Sequence, residues 1–267
     1  MADKKLPSFK KPPVTEVACG IKFEPLRQFL LPHIGLFWEQ IRREFPEFQN
    51  AIPLLPGSMP QNWSVESLMG IFTPRAWFIS SDKQRLVQLQ ADCLYYNWRR
   101  IAESDVYPRF PAVISSFDGI RSQFTKFLEQ NNLPAPVPLS GELTYVNHIP
   151  REDGWKSMED VAAVFRDFCW NATKGRFLPP PRNIGWNTVF ELPNDAGTLN
   201  VSFLQVNRIP DQAPVLRLDI SARGAIKDKS PQDIRAWFEL AHEWIVQGFV
   251  DLTRPEIQKK VWEREDV

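Results

Sequence analysis

Two groups of residues combine side-chain types and spacing that could bind a ligand or a partner. The first group places aromatic and guanidinium side chains close together in the segments 98–100 and 107–110. Arg binds carboxylates and phosphates through two parallel hydrogen bonds, and Trp and Arg are enriched in interface hot spots. We interpret this corner either as a binding site for a protein partner or an anionic ligand, or as a stacked structural corner. The residues of this corner are Trp98, Arg99, Arg100, Tyr107 and Arg109.

The second group lies along one predicted strand near the end of the chain. Arg217, Asp219, Ser221 and Arg223 alternate with apolar residues, so their side chains share one face of the strand. A cross-linked polar ladder is the simpler interpretation of this polar sheet face. The alternative is a ligand floor, in which Arg99, Arg217 and Arg223 would contact an anion such as a nucleotide.

Motifs that would indicate catalysis are missing from the sequence. Asp92, Glu191 and Asp219 lie on predicted strands and could in principle hold a metal ion, but each falls on the polar phase of its strand. His242 has no second histidine four residues on, which excludes a zincin helix, and we place it on a helix surface. No phosphate-binding glycine loop and no nucleophile elbow occurs. We therefore predict no catalytic residues, cofactor or metal, and favour a non-enzymatic function.

The hydrophobic pattern runs twice through one order of elements: a strand, a helix, a set of alternating strands and a closing amphipathic helix. Apolar residues alternate in both opening strands and recur at helical spacing in both closing helices. We predict an α+β protein of two similar halves, each with helices packed on one face of an antiparallel sheet. The predicted divisions are a flexible N-terminal arm at 1–12, a first half at 13–133 and a second half at 139–267, with the halves closely packed.

Two local patterns lead to more specific predictions. The alternation of 87–93 changes phase after Cys93, which predicts a β-bulge there. Ser157 and Asp160 form a carboxylate variant of the capping box, which predicts a helix that continues to Phe168.

Composition limits the partners and the location of the protein. The 32 basic and 32 acidic residues give no net charge, which disfavours a nucleic-acid partner. No apolar run approaches the roughly 20 residues that span a bilayer, and the first residues lack a signal-peptide core. We predict a cytoplasmic protein without a membrane partner. Cys19, Cys93 and Cys169 fall at apolar positions, so we interpret them as reduced core residues.

Several short motifs resemble those of a known family. They are the opening P-P-V-x-E-V-x-x-G-I-x-F at 12–23, the Q-L-Q strand at 88–90 that runs to N-W-R at 97–99, and Y-P-R-F at 107–110. Together they resemble a family of sporadically distributed bacterial proteins of undefined function, and the resemblance covers most of the chain. It implies a bacterial cytoplasmic protein without an assigned activity. The patchy distribution of the family is similar to that of defence or toxin–antitoxin genes, which is an association rather than a mechanism.

These observations support three hypotheses about function. The first is a non-catalytic binding or regulatory subunit that acts through a protein interface at the Trp98 corner, with another protein or a second copy as its partner. The second is a small-ligand or nucleotide sensor that uses the polar sheet face or a cleft between the halves. The third is a metal-dependent hydrolase built on strand carboxylates.

Overall fold

The computed structural model describes residues 6–54, 74–168, 170, 175–179, 181–209, 211–227 and 229–265, and Cys169 lies outside them. These residues confirm the predicted α+β class, with a large antiparallel sheet and several helices. The strands are β1 Ser8–Phe9, β2 Val14–Phe23, β3 Glu47–Ala51, β4 Arg75–Ile79, β5 Arg85–Gln90, β6 Cys93–Arg99, β7 Pro138–Pro150, β8 Gly185–Glu191, β9 Thr198–Asn207, β10 Pro214–Ala225 and β11 Arg264–Glu265. The helices are α1 Leu31–Ile41, α2 Phe110–Gln130, α3 Val161–Val164, α4 Pro231–Leu252 and α5 Pro255–Lys260.

The strands form two sheets, and the chain divides into two compact units. The larger sheet has the strand order β3-β4-β5-β6-β2-β7-β10-β9-β8, and β1 pairs with β11 in a separate two-stranded sheet. We name each unit after its long helix. The α4 unit comprises Met1–Val17, Glu142–Ala225 and Pro231–Val267, and the α2 unit comprises Ala18–Gly141 and Ile226–Ser230.

The α2 unit packs its helices on the antiparallel strands β3 to β6 through a core rich in phenylalanine. The ring of Phe37 in α1 lies 5.3 Å from that of Phe124 in α2 and 6.2 Å from that of Phe78 in β4. The predicted bulge near Cys93 is wrong, because Gln90 pairs directly with Cys93 across a two-residue turn. The change of phase in the sequence therefore marks a hairpin, at which the chain reverses and begins a new strand.

The α4 unit packs its long helix on the antiparallel strands β8 to β10. An aromatic cluster fills the space at the edge of this sheet: the ring of Phe168 stacks on Phe203 at 5.3 Å and lies 4.1 Å from Trp186. The capping box at Ser157 and Asp160 is confirmed, but the helix that it begins ends at Val164. The predicted continuation to Phe168 is wrong, because the backbone after Val164 bonds to the end of α4 instead.

Residues 8–11, which we predicted to lie in a flexible arm, pair with the C-terminal segment. Besides the β1–β11 pairing, the backbone N–H of Lys10 and Lys11 donates to the carbonyls of Glu263 and Trp262 at 3.1 Å. Phe9 is buried against the rings of Phe249 and Trp262. Burial of this one aromatic side chain supplies the apolar contact that holds the polar segment in place.

Candidate functional site

A cavity of about 680 Å³ lies in the α4 unit, between α4, the edge of the sheet and the segment that follows α3. Its walls combine aromatic, aliphatic and carboxyl side chains. The lining residues are Arg166, Asp167, Phe190, Leu199, Glu243, Trp244, Gln247, Gly248, Asp251 and Leu252.

The helical wall of the cavity is one stripe of α4. Glu243, Gln247 and Asp251 follow at intervals of four residues, so their side chains project from the same side of the helix. On the sheet side, Phe190 of β8 pairs directly with Leu199 of β9, and both side chains therefore share the face turned toward α4. The helix and the hairpin thus form two facing walls.

The third wall is fixed by hydrogen bonds between the segment 164–166 and the residues at the end of α4. The N–H of Arg166 donates to the carbonyl of Leu252 at 3.0 Å, and its Nε donates to the carbonyl of Thr253 at 3.2 Å. In return, Arg254 donates its N–H to the carbonyl of Val164 at 2.8 Å. These bonds hold Arg166 and the following Asp167 at the rim of the cavity.

A glycine sets the depth of the cavity where helix and sheet come closest. A Cβ atom on Gly248 would lie 3.3 Å from Cδ2 of Leu199, which is tighter than ordinary van der Waals contact. The absence of a side chain lets α4 approach β9 at this point and leaves room beside the larger Trp244.

The charge of the lining is predominantly negative. Three carboxyl side chains, those of Asp167, Glu243 and Asp251, face one guanidinium group, that of Arg166. Neither Asp167 nor Asp251 has an ion-pair partner within the described residues. Because the walls are partly apolar, the field of these carboxylates is screened less than it would be on an open surface.

The Trp98 corner is built around a buried ring pair. Trp98 is 3% exposed and Tyr107 is 9% exposed, and their ring centroids lie 5.3 Å apart. Both rings are therefore removed from solvent, which corresponds to the structural interpretation of the corner. A surface hot spot would need these side chains to be accessible to a partner.

The three arginines of the corner differ in their surroundings. Arg99 donates from Nη2 to the carbonyl of Lys83 at 2.8 Å. Burial lowers the pKa of Arg100, and the nearby Asp105 opposes that shift. Arg109 is exposed and begins α2 with a positive φ of 72°. The structure therefore brings the rings of Trp98 and Tyr107 together, but places the three guanidinium groups in different surroundings.

The polar sheet face is a ladder of paired groups. Nε of Arg217 donates to both carboxylate oxygens of Asp219, at 2.8 and 3.0 Å. Nη2 of Arg223 lies 2.9 Å from Oε1 of Glu142 on β7, and Oγ of Ser221 lies 2.6 Å from Oγ1 of Thr144. The Arg223–Glu142 and Ser221–Thr144 contacts join the neighbouring strands β10 and β7. These pairs satisfy the groups that an anion would need, so the ladder serves to connect β7 and β10.

Two histidines of the α4 unit are held in surroundings that disfavour their charged form. Burial, followed by the charge of Arg217, lowers the pKa of His148. His242 lies against the ring of Tyr145, at a centroid distance of 6.0 Å, and burial lowers its pKa to about 4. His242, predicted on a helix surface, is half-buried, and its ring lies against Tyr145 of β7.

The low pKa of His242 predicts that the α4 unit loses stability in mild acid. The unfolded chain takes up a proton near pH 6.5, whereas the folded chain resists it until about pH 4, so stability should fall as the pH decreases through that window. The limiting loss is on the order of 3 kcal/mol. Denaturant unfolding of wild type and His242→Gln between pH 7 and pH 4 measures it. If the free energy of unfolding falls equally with pH in the two proteins, His242 is not the cause.

The carboxylates considered for a metal site are dispersed over the fold. Asp92 lies in the β5–β6 turn, Glu191 ends β8, and Asp219 is paired with Arg217 on β10. In the part of the chain that the structure describes, no three His, Cys, Asp or Glu side chains are grouped so that they could hold a metal ion. Cys19 and Cys93 are reduced and buried, as predicted, and burial raises the pKa of the Cys93 thiol.

Comparisons with known proteins do not assign a family. No protein-family model and no curated protein matches the sequence. The chain shows a weak similarity to the crystal structure of DynU16, a protein in the dynemicin biosynthetic locus, with 10% sequence identity and a TM-score of 0.28. The alignment covers 89% of this chain and 98% of that one. At this TM-score the similarity supports no inference about fold or function. Among the described residues, no helix combines the length and apolar character needed to cross a membrane.

The cavity was not identified from the sequence, although part of its signal is present there. Gly248 interrupts a strong helical pattern, and a glycine in mid-helix often marks a close approach of the backbone to a neighbouring element. Trp244 lies beside the predicted core stripe of α4 rather than within it. The remaining lining residues come from β8, β9 and the segment after α3. These parts of the sequence come together only in the tertiary fold.

Proposed function

We propose that this protein binds a small organic cation, a molecule with an apolar body and an amine or guanidine group, in the cavity of the α4 unit. The observation that carries the proposal is the combination of volume and lining. Small-molecule sites are typically concave, about 300–1,000 Å³ in volume, and mostly apolar with a few polar groups that orient the ligand. The cavity of about 680 Å³ lies within that range.

The sign of the ligand's charge follows from the lining. Three carboxyl groups against one guanidinium group leave a formal charge of −2, and Nε of Arg166 is already engaged with the carbonyl of Thr253. The rings of Phe190 and Trp244 also line the cavity, and the faces of aromatic rings attract cations. A carboxylate or phosphate ligand would meet net repulsion here.

This proposal keeps the small-ligand hypothesis from the sequence and changes its place and its charge. The anion site proposed for Arg217 and Arg223 is disfavoured, because both arginines are engaged with carboxylates. A regulatory subunit that works in the cytoplasm through a protein partner, in a defence-associated or toxin–antitoxin system, stays a prediction. The metal-dependent hydrolase also stays a prediction.

A thermal-shift screen with matched ligand pairs tests the proposal. The probes are tryptamine, phenethylamine and agmatine, with indole-3-propionate and hydrocinnamate as carboxylates of similar shape. At about 100 times its Kd a ligand adds about 2.7 kcal/mol of stability, so a bound amine should raise Tm by about 5 °C or more. The carboxylates should leave Tm unchanged. Equal shifts for amines and carboxylates, or no shift with any amine, would contradict the proposal.

A further inference from the structure

Strand β8 is the last strand of the larger sheet in the part of the chain that the structure describes. Within the described residues, β8 pairs with β9 on one side and has no hydrogen-bonded neighbour on the other. Its seven residues pair with β9 in one continuous register without a bulge. The exposed backbone groups of such an edge form a template for another strand.

The sequence of β8 lacks the usual features that prevent edge-to-edge pairing. Native edges are commonly protected by lysine, proline, a bulge or an inward-pointing charge. Between Gly185 and Glu191 the strand contains none of these, and its single charged residue is its last. Val189 is 57% exposed and Phe190 is 43% exposed, so apolar side chains accompany the open backbone edge.

The strand is also complementary to itself. In an antiparallel pair centred on Thr188, Trp186 lies opposite Phe190 of the second copy, and Asn187 lies opposite Val189 of that copy. Glu191 lies opposite Gly185, so no like charges meet. The two Trp–Phe pairs fall on the face that is shared with Phe203 and Leu199, where cross-strand aromatic pairs add stability.

We propose that the protein forms a two-fold symmetric homodimer through antiparallel pairing of β8 with β8 of a second copy, centred on Thr188. A two-fold interface uses the same patch on both copies, which is what a self-complementary strand supplies. The backbone pairing gives affinity. The two aromatic pairs fix the alignment, in a register that brings no like charges together. This inference rests on the strand edge and shares one residue, Phe190, with the cavity.

A charge-swap pair of variants tests the dimer and its register together. Asn187→Lys combined with Val189→Lys places lysines opposite each other at two positions of the proposed pair, whereas Asn187→Lys with Val189→Glu places opposite charges there. Both sites are exposed and their β9 neighbours, Ser202 and Asn200, are polar, so the isolated fold should tolerate either variant. Sedimentation equilibrium of the full chain measures the association.

Wild type should sediment at twice the 30.9 kDa of one chain. The double-lysine variant should associate at least about tenfold more weakly, and the lysine–glutamate variant should stay within about threefold of wild type. Three results would overturn the proposal: a monomeric wild type at the highest concentration, a double-lysine variant that dimerises like wild type, or loss of the dimer in both variants. Equal far-UV circular dichroism spectra confirm that the two variants fold alike.

Discussion

Replacement of Trp98 with alanine is expected to lower the free energy of unfolding by about 3–5 kcal/mol. Trp98 is 3% exposed at the end of β6, where it pairs with Arg85 and packs its ring against Tyr107. Removal of the indole leaves a cavity that the surrounding strands can close only in part, so the cost includes lost contacts as well as lost burial. Denaturant unfolding followed by circular dichroism measures the change.

The matched control is Arg109→Ala, in the same corner. Arg109 is exposed, and alanine at this position keeps a Cβ atom at the same positive φ, so the change should stay within about 0.5 kcal/mol. The loss of unfolding free energy in Trp98→Phe should lie between those of Trp98→Ala and Arg109→Ala. A fully stable Trp98→Ala protein would show that the ring is accessible and would restore the corner as a surface for partners.

Replacement of Gly224 with alanine should destabilise the α4 unit by about 3 kcal/mol. A Cβ atom on Gly224 would lie 1.7 Å from the carbonyl oxygen of Ala196 and 2.9 Å from Cα of Gly197. These are backbone atoms of the β8–β9 turn, so no side-chain rotation can relieve the overlap. The same Ala196 carbonyl accepts a 2.9 Å hydrogen bond from Nε1 of Trp237, which the displaced turn would lose.

Gly35→Ala is the control for this substitution. Gly35 is exposed in α1, and a Cβ atom there would meet nothing within 4 Å. Alanine has the higher helix propensity, so this variant should be more stable than wild type by about 0.5–1 kcal/mol. Denaturant unfolding compares both variants, and the Trp237 environment can be followed by fluorescence. A Gly224→Ala protein as stable as Gly35→Ala would show that the turn does not lie against β10.

Elements whose apolar period is unbroken could be predicted from the sequence. The opening strand and the two long helices follow this rule, because burial of one face imposes the period of the element on the sequence. The β5–β6 hairpin does not follow from the pattern, because a two-residue turn and a bulge both shift the phase of alternation at Cys93. Period alone does not distinguish a strand that bends from one that reverses.

Features that depend on distant contacts could not be predicted in the same way. Helix α3 ends at Val164 because the next residues bond to the end of α4, about 90 positions away in the sequence. The cavity depends on the same contact, which places Asp167 opposite Asp251 and Glu243. The polar ladder was recognised as a face of β10, but its partners on β7, Glu142 and Thr144, became evident only from the pairing of the strands.

The central claim is that the carboxyl groups of the cavity bind a cation, and isothermal titration of the best amine tests it most directly. Asp167→Asn with Asp251→Asn removes two charges from the lining. Glu103→Gln with Glu129→Gln removes two charges from exposed positions of the α2 unit, so the net charge changes equally. The lining variant should bind at least about tenfold more weakly, and the control variant within about twofold of wild type. Equal affinity of the lining variant and wild type would contradict the account.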